Sequence, residues 1–164
     1  MRFTTDEHNG RMPPADSGSD RFEDAKALNS FLRGEISAAE AYDLAIGKFE
    51  GGPAVIELRQ IRDEHHSAMG MLREQILAAG AMPVESSGAW GALTTLITGT
   101  ALALGDKPVL SALRRGEERG ISAYRHAADS TNLSYDCRSA IAGALLPMCR
   151  RHVATLEQLS ASLT

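Results

Sequence analysis

Four ionisable residues, Glu35, His65, Glu117 and His152, stand at positions where a helical reading of the chain puts apolar side chains. Carboxylates and imidazoles ligate divalent cations, and two glutamates would neutralise one Zn, Fe or Mn ion. Each residue interrupts one stripe. The first stripe is Leu28, Leu32, Glu35, Ala39, Tyr42, Ile46 and Phe49, and the second is Leu58, Ile61, His65, Ala68, Leu72, Ile76 and Ala79. The third is Leu110, Leu113, Glu117, Gly120, Tyr124 and Ala127, and the fourth is Ile141, Leu145, Met148, His152, Leu156, Leu159 and Leu163. Steps of three and four keep each set on one helix face. The neighbours on either side are apolar, small or Tyr, so none of these faces is solvated. An isolated charge in such a core costs several kcal/mol; the four must pair, lose charge or bind a cation.

The heights of the four residues agree as well. Glu35 and His65 each lie 15 residues from Glu50, roughly 22 Å along a helix at about 1.5 Å per residue. Glu117 and His152 lie 17 and 18 residues from position 134. The segment GEISAAEAY, with Glu35 seven before Tyr42, is echoed by GEERGISAY, with Glu117 seven before Tyr124. His65 and His152 repeat too, four after Ile61 and Met148 and seven before Leu72 and Leu159. A pseudo-two-fold axis through the polar centre is therefore expected. Whether the two halves are level depends on the connection between them, which the sequence leaves open.

The elements that must position these residues are four long helices. Segment 21–50 stops at Gly51, Gly52 and Pro53, and segment 54–79 stops at Gly80 and Pro83. Gly105 and Asp106 open the third, broken by Asn132 to Asp136; the fourth runs over about 135–162 with Pro147 inside it. That proline predicts a bend or an unpaired Gly143 carbonyl. No segment alternates with the period of a strand. The fold class is all-α: a four-helix bundle of two antiparallel hairpins, joined by a long crossover containing an additional apolar helix over 89–104. Such a crossover lets the second and third helices run parallel. Residues 1–20, rich in Pro, Gly, Ser and Asp, read as a disordered arm, and 21–164 as one domain.

The bulk numbers narrow the function classes. The chain has 164 residues, 43% of them hydrophobic, enough for one core. Its 17 basic residues are scattered among 21 acidic ones with no basic stripe, which argues against nucleic acid and acidic membranes as partners. The apolar run AWGALTTLITGTALAL has 16 residues, short of the roughly 20 that span a bilayer. Two cysteines, Cys137 and Cys149, are too few for a disulfide scaffold, and the first residues lack the apolar core of a signal peptide. A cytoplasmic protein is expected. Trp90 in the crossover reads as an anchor onto the bundle or a partner, and the apolar crossover suggests a homodimer or higher homo-oligomer. There is no Ser/His/Asp arrangement, phosphate loop or zinc-finger spacing.

With these residues in view, the chain resembles the ferritin-like superfamily, whose hairpins each supply a Glu from one helix and a Glu-x-x-His pair from the other. Glu35, Ala38 and Tyr42 look like the first metal-binding helix of bacterioferritins. A closer resemblance is to a bacterial branch of four-helix-bundle proteins carrying a domain of unknown function. It runs through LNSFLRGEISAAEAY, PVESSGAWG, GEERGISAY and LLPMCRRH, over roughly residues 25–162. The resemblance implies a metal-binding bundle, in iron or oxidative-stress handling.

The chain departs from that two-metal pattern at both bridging positions, where Arg62 and Cys149 replace the glutamates three before His65 and His152. Bridging carboxylates hold two cations about 3.5–4 Å apart. Their loss disfavours a di-iron oxidase and leaves one divalent metal on Glu35, His65, Glu117 and His152. Tyr42, Tyr124, Arg62 and Cys149 are the candidate supporting or extra ligands: the tyrosines as hydrogen-bond partners of the glutamates, Cys149 as a soft ligand, a redox thiol or a small buried side chain. Asp63, Glu64 and His66 read as solvated, with Asp63 and His66 as a fallback site. Glu40, Glu118 and His126 read as surface residues. The alternative function is a metal-free structural or interaction bundle in which each glutamate bonds a histidine and the polar core fixes register.

Overall fold

The computed structural model describes residues 18–49, 51–88 and 105–163, and within them every regular element is a helix. Helix α1 spans Gly18–Lys48, α2 Pro53–Ala78 and α3 Asp106–Ala128. Helix α4, Tyr135–Ala140, continues through a π turn at Ile141–Leu145 into α5, Leu146–Ser162, with α-type dihedrals at both joints. Helix α1 starts three residues inside the expected 1–20 arm, the rest of which lies outside the described residues. So does the expected crossover helix over 89–104 with Trp90.

Local chemistry fixes the ends. Gly51 and Gly52 turn the chain at φ of 95° and 89°, a region open to glycine at little cost, and Pro53 opens α2 with its ready-made φ. Helix α2 ends in a Schellman motif: the Gly80 N–H donates to the Leu77 carbonyl at 2.9 Å and the Ala81 N–H to that of Ile76 at 3.0 Å. The Ser134 hydroxyl caps α4 by accepting from the Cys137 N–H at 3.1 Å. Asp24 of α1 takes both the Ser134 N–H, at 2.9 Å, and its hydroxyl, pinning the start of α1 to that cap. The π turn accounts for Pro147. A proline has no N–H to close the α ladder, and here the Leu146 N–H bonds the Ile141 carbonyl five residues back. The helix widens locally and carries on.

Helix α1 packs on α2 and α3 on α5. Asn29 meets Met82, Glu35 meets His65 and Asp43 meets Arg62, so α1 and α2 are antiparallel. Arg114 meets Glu157 and Glu117 meets His152, so α3 and α5 are too. Between the hairpins Tyr42 meets Glu117 and Tyr124 meets Glu35, an antiparallel register of α1 and α3 that leaves α2 and α3 parallel, as the long connection allowed.

The core is in two parts. One cluster contains Leu28, Leu32, Leu72, Ile76, Ile141 and Leu145; the other contains Ala45, Leu58, Val109, Leu110, Leu113 and Leu156. Between them lies a layer holding Glu35, His65, Glu117 and His152, each under 5% exposed. Burial of the apolar residues on both sides stabilises the bundle and encloses the polar layer between them.

Candidate metal centre

Helices α1, α2, α3 and α5 each hand one side chain to the layer, and the four form a connected chain. His65 Nδ1 lies 2.6 Å from Glu35 Oε2, and its Nε2 lies 3.0 Å from Glu117 Oε1. His152 Nδ1 lies 3.2 Å from Glu117 Oε2. The two imidazoles meet edge to face at 4.9 Å between ring centres. The expected tyrosine support is present, and it crosses between hairpins: the Tyr42 hydroxyl donates to Glu117 Oε1 at 2.8 Å and the Tyr124 hydroxyl to Glu35 Oε1. Glu117 is the centre of the cluster, accepting from Tyr42 and facing both histidines.

Electrostatics follow this layout. Burial disfavours charge on His65, but the Glu117 and Glu35 carboxylates outweigh it and hold the imidazolium up to a pKa of about 10. Burial likewise raises Glu117, yet His65 and His152 pull its carboxyl well below the ordinary range. Burial first, then the neighbouring carboxylates, push the Tyr42 and Tyr124 phenols upward, so both remain neutral donors.

Among the described residues, one group of metal-ligating side chains has ligand atoms all within 4.8 Å of one another: His65, Glu117 and His152, all buried. Glu35 is not in that group. Its oxygens are turned to His65 Nδ1 and Tyr124, so the expected fourth ligand stands behind a histidine. Arg62 is neither ligand nor support: it faces outward to Asp43 at 3.0 Å and Asp63 at 2.9 Å. A guanidinium that finds two exposed carboxylates has no reason to be buried with a second cation. That pairing also occupies Asp63, and His66 is exposed, so the fallback pair is a surface feature.

Cys149, 2% exposed, lies beside the layer, its Sγ 3.4 Å from the point where a Cβ on Gly120 would sit. Burial, then Glu117 and Glu35, push its thiol far upward, so it stays protonated. It is a small buried side chain, not a poised thiolate. Cys137 is also free and buried, its thiol pushed up to about 12 by burial and then Asp24.

Glu64 corrects the sequence reading. Expected to be solvated, its side chain is only 31% exposed; it lies 3.3 Å from His152 Nε2 and accepts from Arg151 at 3.1 Å. Burial opposes its charge, but Arg151 and His152 outweigh that and lower its pKa. One signal pointed to it: Glu64 and Arg151 each immediately precede a repeated histidine, so bringing His65 and His152 together also brings those opposite charges together. Each histidine thus has one nitrogen toward Glu117 and the other toward an outer carboxylate, Glu35 or Glu64.

No protein-family model, curated protein or solved structure matches this chain. No described helix is long and apolar enough to cross a membrane.

Proposed function

We propose that this protein is a metal-binding helical bundle of the ferritin-like kind, holding one divalent transition metal, Fe, Zn or Mn, on His65, Glu117 and His152. The observation that carries the proposal is the convergence of those three buried ligand atoms, each histidine backed at its other nitrogen by a carboxylate. Metal-ligating histidines are held in this way, the outer carboxylate fixing the tautomer and the ring orientation.

The spacing fits. Ligands about 2.0–2.1 Å from a tetrahedral ion stand roughly 3.3 Å apart; the histidine nitrogens lie 3.0 and 3.2 Å from different Glu117 oxygens, and the three ligand atoms lie within 4.8 Å of one another, so an ion would draw them closer together. The hydrogen-bond inventory supports the same reading. A neutral imidazole has a single N–H, whereas each ring here faces carboxylates from both nitrogens. An ion on the inner nitrogens leaves each outer N–H to donate to Glu35 or Glu64. Two histidines and one carboxylate leave coordination positions open, a donor set that suits Fe(II) in oxidant handling as well as Zn. The missing bridging carboxylates disfavour a two-metal oxidase.

A metal-free structural bundle is the second reading, and the raised pKa of His65 favours it: a doubly bonded imidazolium between two carboxylates satisfies the buried charge with a proton. Elemental analysis of protein purified without chelators separates the two. The metal reading expects close to one equivalent, lost in Glu117→Ala. Less than about 0.2 equivalents, together with no proton release on titration with Zn, Fe(II) or Mn, leaves only the structural bundle.

A further inference from the structure

The polar layer has an apolar approach of its own. Between α1 and α3 lies a cavity of about 160 Å³ lined by Phe31, Ala38, Gly116, Gly120, Ala123 and Tyr124, with Glu35, His65, Glu117 and Cys149 also on its wall. Its rim is open at Arg119 and Ala123, both exposed, and it reaches inward to the buried Glu35, Glu117 and Tyr124. Small side chains on both helices preserve it. A Cβ on Gly34, also on the wall, would meet nothing within 4 Å. The small residues recur in the internal repeat: Gly34 precedes Glu35 as Gly116 precedes Glu117, and Ala38 corresponds to Gly120.

We propose that this cavity is a binding site for a neutral, benzene-sized molecule carrying one hydroxyl. Three features select that class. An apolar space of about 150 Å³ is the size that holds benzene in a protein core. Phe31 and Tyr124, with ring centres 5.0 Å apart and planes at 58°, offer aromatic surface to a ring. Two carboxylates, Glu35 and Glu117, stand on the wall, so an anionic ligand would meet like groups there. The carboxylates also accept hydrogen bonds, and a hydroxyl directed at Glu35 or Glu117 finds an acceptor on the inner wall. The site does not require the ion, so the inference goes beyond the metal reading and stands or falls separately.

Phenol and toluene are the probes, matched in shape and differing in the hydroxyl, with benzoate as the charged control. Ligand-observed NMR and calorimetric titration of the full-length, chelator-treated protein should give one phenol site. Toluene should bind roughly tenfold or more weakly, as expected for a lost hydrogen bond to a charged acceptor, and benzoate not at all. Ala38→Leu and Ala123→Leu, filling the cavity from opposite walls, should each abolish phenol binding while leaving helicity and metal stoichiometry unchanged. No phenol binding at millimolar concentration overturns the proposal. So does toluene binding as tightly as phenol, or unaltered binding in both filled, folded variants.

Discussion

The two hairpins repeat in sequence but place their histidines in different surroundings. His65 of the first is clasped by two buried carboxylates, Glu35 and Glu117; His152 of the second shares Glu117 but turns its outer nitrogen to Glu64, about a third exposed and paired with Arg151 at the surface. The glutamates differ correspondingly. Glu117 faces two histidines and a tyrosine, whereas Glu35 faces one of each. An internal repeat therefore does not guarantee equivalent ligands. One residue beside each histidine, Glu64 against Arg151, gives His152 a partly exposed outer partner where His65 has a buried one.

The sharpest way to break this comparison is to remove the two glutamates in turn. Glu117→Ala strips three partners at once and is expected to cost about 3–5 kcal/mol, the range for one member of a buried ion pair. Glu35→Ala should cost less, because Tyr124 and His65 keep other contacts or can reach water through the cavity. Urea unfolding of both variants tests the order; equal losses would remove the distinction between centre and support.

Metal affinity sharpens it. Glu117→Ala should abolish binding, while Glu35→Ala and Glu64→Gln should each keep one equivalent at roughly 10–100-fold weaker affinity, the usual effect of losing an outer carboxylate. Competition titration with a chromogenic chelator reads this directly, and complete loss in Glu35→Ala would restore it as a ligand.

The pH dependence of stability comes next. His65 has a folded pKa raised from 6.5 to about 10, so its contribution is complete below about 6.5 and is lost as pH rises through 10. Glu117 is depressed below its ordinary 4.5, so its contribution is present above that value and fades as pH falls. Metal-free protein should therefore be most stable near pH 5–6, with an alkaline decline that Glu64→Gln retains and His65→Leu flattens. Melting temperature against pH checks both limbs. The smallest effect belongs to Arg62→Ala, whose surface pairs with Asp43 and Asp63 contribute about 0–1 kcal/mol and leave metal binding untouched.

Much of the arrangement was legible beforehand because helix periodicity is a local property. Steps of three and four put Glu35, His65, Glu117 and His152 on buried faces, and the Gly-Gly-Pro turn and the break at Asn132 to Asp136 placed the partners within each hairpin at the same height. The arm boundary was less legible: Gly18 to Asp20 have the composition of a loop yet extend α1. Arg62 was misjudged because a side chain that long can choose between core and surface, and the deciding carboxylates, Asp43 and Asp63, lie on the outer face.

The sequence alone thus determined an all-helical chain, its hairpin turns, the internal repeat and the four buried polar residues, since each follows from backbone geometry over a few turns of helix. The relative height of the two hairpins, and so the meeting of Tyr42 with Glu117, Tyr124 with Glu35 and Glu64 with His152, was decided by tertiary packing. These contacts join residues 75 to 89 positions apart, and no local periodicity encodes such a distance. Which carboxylate faces both histidines and which backs only one is settled only when the two apolar clusters close around the layer.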